Sequence, residues 1–274
     1  MKFLFSLVIY ILLFSACNTR VEKENPKEML SQAYQLFKEG DDAGSVKLAE
    51  EVLEIGRESK NDTLIGKALT SLCRNAQREL DTNRLADLSA QLEELASKSD
   101  DNQWLMYRAH QNAEMWRLIG DMDKAEAYYD ESLKYSEALG INGMFMIDHF
   151  NKSFVSTAKG DFKSARALIK KYYQLREEAA LQSGGKASPE DAYGLIALAY
   201  LLEQEGNYQG AHEAALVCRR LFKEQNIFPE PPDEKPLLAV EKKVKKKLSP
   251  REYEQISKES ESQGVSTLLD KYLP

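Results

Sequence analysis

The chain is short of the residues from which most small-molecule chemistry and most disulfide scaffolds are built. Three cysteines and three histidines among 274 residues exclude a disulfide framework and any dense zinc array. Positive charge does not dominate either. There are 37 Lys and Arg against 44 Asp and Glu, a formal net charge of −7, so the broad basic face needed for general nucleic-acid affinity is not expected. Past the first sixteen residues no long apolar run occurs, and a mean hydropathy of −0.51 excludes a polytopic membrane protein. Glycine (14) and proline (8) are scarce, and no Gly-rich phosphate loop, nucleophile elbow or HExxH sequence is found. What remains is 43% hydrophobic residues, mostly alanine and leucine, enough for a sizeable core and inclined to helix.

Residues 1–16, MKFLFSLVIYILLFSA, begin with a lysine, continue with about fourteen largely apolar residues and end on Ser15-Ala16. The run is shorter than the roughly 20 residues that span a bilayer comfortably, and it has the layout of a secretory signal peptide. Phe14-Ser15-Ala16-Cys17 resembles the lipobox of bacterial lipoproteins, with Phe14 where leucine is usual. The resemblance implies that Cys17 is lipidated, palmitate included, and becomes the new N-terminus. The mature protein is then expected on a membrane of the bacterial cell envelope, the outer membrane facing the periplasm. Residues 17–28 are polar and read as a flexible tether. Cys73 and Cys218 fall in separate helical segments and read as small buried apolar residues.

The body repeats about every forty residues. Turn-like pairs recur at Gly40-Asp41, Asp81-Thr82, Gly120-Asp121, Gly160-Asp161 and Gly206-Asn207, in steps of 41, 39, 40 and 46 residues. Five residues after each turn start stand Ser45, Ala86, Ala125, Ala165 and Ala211. Seven before it stand Ala33, Arg74, Ala113, Ser153 and Ala199, with Arg74 out of character, so that Cys73 or Ala76 is expected to take its place. Two antiparallel helices approach closely only where both present small side chains. The glycine between them stops one helix without strain, and the following Asp or Asn caps the next. Ser188-Pro189-Glu190-Asp191 reads as a further helix start.

The spacing small–x6–Gly–x4–Ala, as in Ala113…Gly120…Ala125 and Ala199…Gly206…Ala211, resembles the tetratricopeptide repeat (TPR) family, and Trp116 and Tyr129 match its bulky positions. The match covers residues 29–226, with helices longer than the family's common period of 34. It implies an all-α fold: a right-handed α-solenoid of about five TPR-like helical hairpins. Phe228-Pro229-Glu230-Pro231-Pro232-Asp233 lies in a Pro-rich connector, residues 227–236. Residues 237–274 then read as C-terminal capping helices, the second starting in a capping box at Ser249-Pro250-Arg251-Glu252. That start also resembles the opening of the response-regulator helix-turn-helix, but the spacing to Gly264 is too long for its turn. The basic run Lys242–Lys247 is the solvated face of a capping helix, or a contact for anionic lipid headgroups.

Chemistry-bearing clusters are sparse. His110, His149 and His212 lack ligand spacing within a helix, so no metal and no cofactor is expected. His110 and His149 are one repeat apart and could meet near Glu114. In the TPR family the first helix of each hairpin lines the concave groove. Carrying those positions over implies a partner-binding groove of Tyr107, His110, Glu114, Arg117, Phe150, Phe154, Tyr193, Ile196 and Tyr200. Phe150 and Phe154 share a helix face, as do Ile196 and Tyr200, and grouped aromatics on a groove anchor a partner peptide or helix. The expectation is a lipid-anchored, non-catalytic scaffold or adaptor with a protein or peptide partner and no nucleic acid. Two other classes fit the same residues. One is a sensory or regulatory component working with a membrane kinase; the other is an envelope ligand-binding protein or enzyme around His110, Glu114 and His149.

Overall fold

One turn, used five times, organises the chain. The computed structural model describes residues 25–98, 101–182 and 192–274. Among these are thirteen α-helices, a short 3-10 turn at Ser260–Ser262, and no strand. Ten helices pair into five antiparallel hairpins: α1 (Pro26–Glu39) with α2 (Asp42–Glu58), α3 (Asp62–Arg78) with α4 (Thr82–Ser97), and α5 (Asn102–Ile119) with α6 (Met122–Leu139). The last two are α7 (Asn142–Ala158) with α8 (Phe162–Gln182) and α9 (Tyr193–Gln204) with α10 (Tyr208–Gln225). The signal peptide, Cys17 and most of the tether lie outside the described residues, as does the helix start at Ser188-Pro189.

Each odd helix ends on a left-handed residue: Gly40, Leu80, Gly120, Gly160 or Gly206, with φ of 83°, 56°, 99°, 78° and 82°. The next residue, Asp41, Asp81, Asp121, Asp161 or Asn207, then makes two bonds. Its N–H donates back to the carbonyl five residues earlier at 2.8–3.0 Å, and its side chain accepts from the N–H three residues on at 2.9–3.1 Å. The first bond completes a Schellman stop and the second an N-cap, so both helix ends are satisfied within a two-residue connection.

The second turn is therefore Leu80-Asp81, one residue before the Asp81-Thr82 inferred from sequence. A leucine holds the conformation that the other four turns give to glycine, which is why the turn is hard to see in the sequence. With that correction the positions seven before the left-handed residue are Ala33, Cys73, Ala113, Ser153 and Ala199, and those five after it are Ser45, Leu85, Ala125, Ala165 and Ala211, all fully buried. Cys73 replaces Arg74 at the crossing, and Leu85 replaces Ala86. Cys73 and Cys218 are both free and buried. Burial pushes the Cys73 thiol up to about 12 and Cys218 up as well.

Odd helices pack on the odd helices of the neighbouring hairpins, whereas the even helices of successive hairpins stand further apart. The stack therefore curves with α1, α3, α5, α7 and α9 on its inner side. One odd–odd contact depends on a missing side chain. A Cβ on Gly66 of α3 would lie 2.4 Å from Cζ3 of Trp104 on α5, and Trp104 is itself buried.

The C-terminal region departs from the expected cap. The connector is shorter than 227–236, because α11 (Pro231–Lys247) already begins at Pro231. Pro231 and Pro232 fill its first turn, where the missing N–H costs nothing, and only Pro236 interrupts the ladder. The later helices, α12 (Pro250–Glu259) and α13 (Val265–Tyr272), pack on α10 and close the end of the stack; α12 opens with the capping box at Ser249 and Glu252. Helix α11 instead packs on α9 and α10 and reaches α3, so it lies along the inside of the curve.

Gly66→Ala is expected to lower unfolding free energy by about 1–3 kcal/mol through overpacking against Trp104. Urea unfolding of the two proteins, with unchanged slope and a lower midpoint for the variant, checks this.

Candidate functional site

The inner face can be read column by column from the turn. Six residues before each left-handed residue stand Tyr34, Arg74, Glu114, Phe154 and Tyr200, and ten before it stand Leu30, Thr70, His110, Phe150 and Ile196. The face thus carries a tyrosine and a leucine at its first hairpin, an arginine and a threonine at its second, and mostly aromatic residues at its last two. The third hairpin lies between and carries a buried polar network.

That network replaces the apolar core. Extensive hydrophobic clusters fill the stack on either side, but around α5 and α6 the cluster shrinks to Ala113, Ala125, Tyr129 and Val155. Here His110 Nδ1 pairs with Asp148 Oδ1 at 2.6 Å, and Ser132 Oγ donates to Asp148 Oδ2 at 2.6 Å. Arg117 donates to Glu114 at 2.7 Å, and the Tyr129 hydroxyl donates to the other Glu114 oxygen. Asp148 is fully buried, and Glu114 and His110 are nearly so. Burial alone would lower the His110 pKa, but the charges of Asp148 and Glu114 outweigh it and hold it above the ordinary value. Burial pushes Glu114 upward, and the charges of Arg117 and His110 overcome that and hold it low. Buried charges persist only when paired in this way.

The predicted groove residues divide accordingly. Phe150, Phe154 and Ile196 are buried between hairpins and not displayed on the surface. Phe150 meets Phe154 edge-on at 5.1 Å and Tyr193 edge-on at 6.3 Å, and Phe154 stacks on Tyr200 at 5.8 Å. His110 and Glu114 are interior members of the network. Tyr107, Arg117, Tyr193 and Tyr200 keep partial exposure. His149 does not meet His110; its Nδ1 bonds the Phe145 carbonyl at 2.7 Å. Among the described residues no three His, Cys, Asp or Glu are placed to hold a metal ion, and no helix is long and apolar enough to cross a membrane.

Helix α11 covers part of this face. Its Leu237, Val240 and Val244 are completely buried in the cluster formed with α9 and α10, each worth about 1.5–3 kcal/mol of apolar burial. Lys243, within the basic run, pairs with Glu203 on α9, and Lys247 lies 5.6 Å from the Tyr208 ring. At the other end of α11, Glu230 pairs with Arg78 of α3 at 3.0 Å. Half-buried Asp233 feels the charges of Arg117, Glu114 and Glu230. Desolvation, aided by the two glutamates and opposed by Arg117, pushes its carboxyl up to about 7.

Sequence reasoning overlooked Tyr34, Arg74 and Arg78. The misplaced second turn put Arg74 at a helix crossing, when it belongs to the same column as Glu114 and Phe154. Tyr34 is 47% exposed; Arg74 lies 4.9 Å and Lys38 5.3 Å from its ring. The Arg78 guanidinium sits 3.3 Å over Phe37 and pairs with Asp42 at 2.7 Å.

No family model matches the chain, and no curated protein is significantly similar to it. The crystal structure of BtubC (BKLC) from P. vanneervenii superposes with a TM-score of 0.53 at 18% identity, over 92% of this chain and 95% of that one. A tetratricopeptide repeat protein from Parabacteroides merdae aligns over 86% of this chain and 98% of its own, at 12% identity and a TM-score of 0.34. The first likeness is one of fold.

Two titrations follow. Asp148→Asn is expected to lower the His110 midpoint, read by NMR of the imidazole protons. Because the folded pKa of His110 is raised, its pairing stabilises fully below pH 6.5 and fades as pH rises through the folded value. The variant should therefore lose about 3 kcal/mol at pH 6 and less above that titration. For Asp233 the sign is opposite: a raised acid disfavours the ionised form, so stability falls as pH climbs from about 4 through 7. Asp233→Asn should raise Tm by about 3 °C at pH 8 and by almost nothing near pH 4.

Proposed function

We propose that the protein is a non-catalytic interaction scaffold that binds a protein or peptide partner on its concave face. It is held at the bacterial cell envelope by a lipid on Cys17 and makes no use of nucleic acid. The observation that supports a binding role is the inner face of the first two hairpins. There an exposed tyrosine, Tyr34, stands with Arg74 and Lys38 against its ring. An open aromatic backed by cations is the composition of a recognition hot spot, and no demand of the core accounts for it. The nine groove residues inferred from sequence then have two roles. Tyr107, Arg117, Tyr193 and Tyr200 border the path of a ligand, and the buried members hold the face in shape.

Crosslinking with mass spectrometry in cells tests the reading. Partner crosslinks are expected to fall at least about fivefold in Tyr34→Ala/Arg74→Ala, where an exposed ring and a half-buried guanidinium are lost. Unchanged crosslinks would move the interaction off this face. Separately, Cys17→Ala should shift the protein from the membrane to the soluble fraction, and full retention would exclude the lipid anchor.

A further inference from the structure

Helix α11 is held by two different forces, divided at Pro236. Beyond it, Leu237, Val240 and Val244 are fully buried. Before it, residues 228–234 present no large buried apolar side chain, and Phe228 is 77% exposed. This part is fixed by charge: Glu230 pairs with Arg78 at 3.0 Å, and Glu234 pairs with both terminal nitrogens of Arg219 on α10 at 2.7 and 2.8 Å. Pro236 lacks the N–H that would bond the Pro232 carbonyl, so the ladder is weakest where the two halves join. An acidic, proline-rich stretch with an exposed phenylalanine therefore lies between Arg78 of the inner face and Arg219 of α10, attached to a firmly packed helix by a natural hinge.

We propose that residues 228–234 are an internal stand-in for the partner. On this view the inner face of the second and third hairpins receives an acidic segment of another protein, and the chain's own segment must swing out at Pro236 to admit it. The proposal rests on the concave-face reading above and adds the chemistry of the ligand and its control. Charge complementarity selects the occupant. Arg78 already balances Asp42 with one nitrogen and offers the other to Glu230. Next to it Arg74 faces the rings of Tyr34 and Phe37 at 4.9 and 5.6 Å, with no carboxylate partner among the described residues. A segment longer than 228–234 could pair with Arg74 as well and lay an aromatic side chain against Tyr34. An external acidic ligand thus has one cation more to engage than the internal one, which lets it compete despite the internal segment's tethered advantage.

The test uses the full chain and a labelled peptide of sequence NIFPEPPDEKP, residues 226–236, followed by fluorescence anisotropy at low salt. Glu230→Ala/Asp233→Ala removes the two acids that face Arg78 and Arg117, leaving Glu234 on Arg219 and the apolar half of α11 in place. Binding is expected to be at least about tenfold tighter to that variant than to the unaltered protein. It should be lost on adding Arg78→Ala, and lost for a peptide carrying Gln and Asn in place of its acids. Circular dichroism confirms that each variant is folded. Equal affinity for the unaltered and double-variant proteins, binding indifferent to Arg78, or no binding to either protein overturns the proposal. The crosslinking experiment is independent of it. Concave-face crosslinks persisting while the peptide fails would sink only the acidic-segment inference, and absence of those crosslinks would sink the binding reading itself.

Discussion

A left-handed residue followed by a capping Asp or Asn is the constraint from which the rest of the structure follows. The pair closes each hairpin in two residues, so the helices it joins must cross at a fixed distance from the turn. That distance puts a buried small residue at the same step before every turn, and another small side chain, or Leu85 in the second hairpin, at the same step after it. Close crossings leave little freedom in the hairpin's shape, and near-identical hairpins stack with near-identical rotation. The curvature of the odd-helix face is thereby set by local hydrogen bonds at Asp41, Asp81, Asp121, Asp161 and Asn207, made far from the face itself. The stack can therefore vary its inner columns widely, from Tyr34 to Arg74 to Glu114 to Phe154, without changing the frame that carries them.

The third hairpin shows what that freedom permits. Its interior holds an acid–base pair, His110 with Asp148, and a second cluster of Glu114, Arg117 and Tyr129, where its neighbours have leucine and phenylalanine. Such a network is no more stabilising than apolar packing would be, and it is sharply penalised when any member is lost. Its effect is on geometry. Its hydrogen bonds are directional, so α5, α6 and α7 have one relative arrangement, whereas an oily contact tolerates sliding. Arg117 is held by Glu114 within this rigid segment and also influences Asp233 on α11, which couples the interior of the stack to the segment lying across its inner face.

How much of this could be read from the residues depends on the range of the interaction. The forty-residue period, the hairpins and the crossing residues are local and were legible from Gly-Asp pairs alone. The second turn was misplaced by one because Leu80 carries no signal for positive φ, and that slip moved Arg74 out of the groove column and put Ala86 at the crossing in place of Leu85. A strict period of forty counted from Gly40 and Gly120 would have recovered both. The burial of Phe150, Phe154 and Ile196 was not legible. It depends on α9 and α11, and nothing in PPDEKPLLAVEKKVKKK says whether its apolar stripe packs at the end of the stack or inside it. The pairing of His110 with Asp148 was hidden for a similar reason: it joins two hairpins, and Asp148 sits beside His149, the more conspicuous candidate.

The occupied inner face changes how the absence of catalytic motifs should be weighed. A groove lined by free aromatics would expose apolar surface to solvent, a liability for any folded chain. Covering that surface with α11 removes the liability but also removes the site, unless part of the cover can leave. The division at Pro236 meets both needs. The apolar half of α11 stays packed on α9 and α10, where exposure would be costly, and the acidic half is held by arginines, which are content in water. Releasing residues 228–234 breaks the part-exposed pairs Glu230–Arg78 and Glu234–Arg219 at small cost, because such pairs are nearly balanced by hydration. The energetic asymmetry along one helix is thus sufficient to make a closed stack that opens only at its charged end.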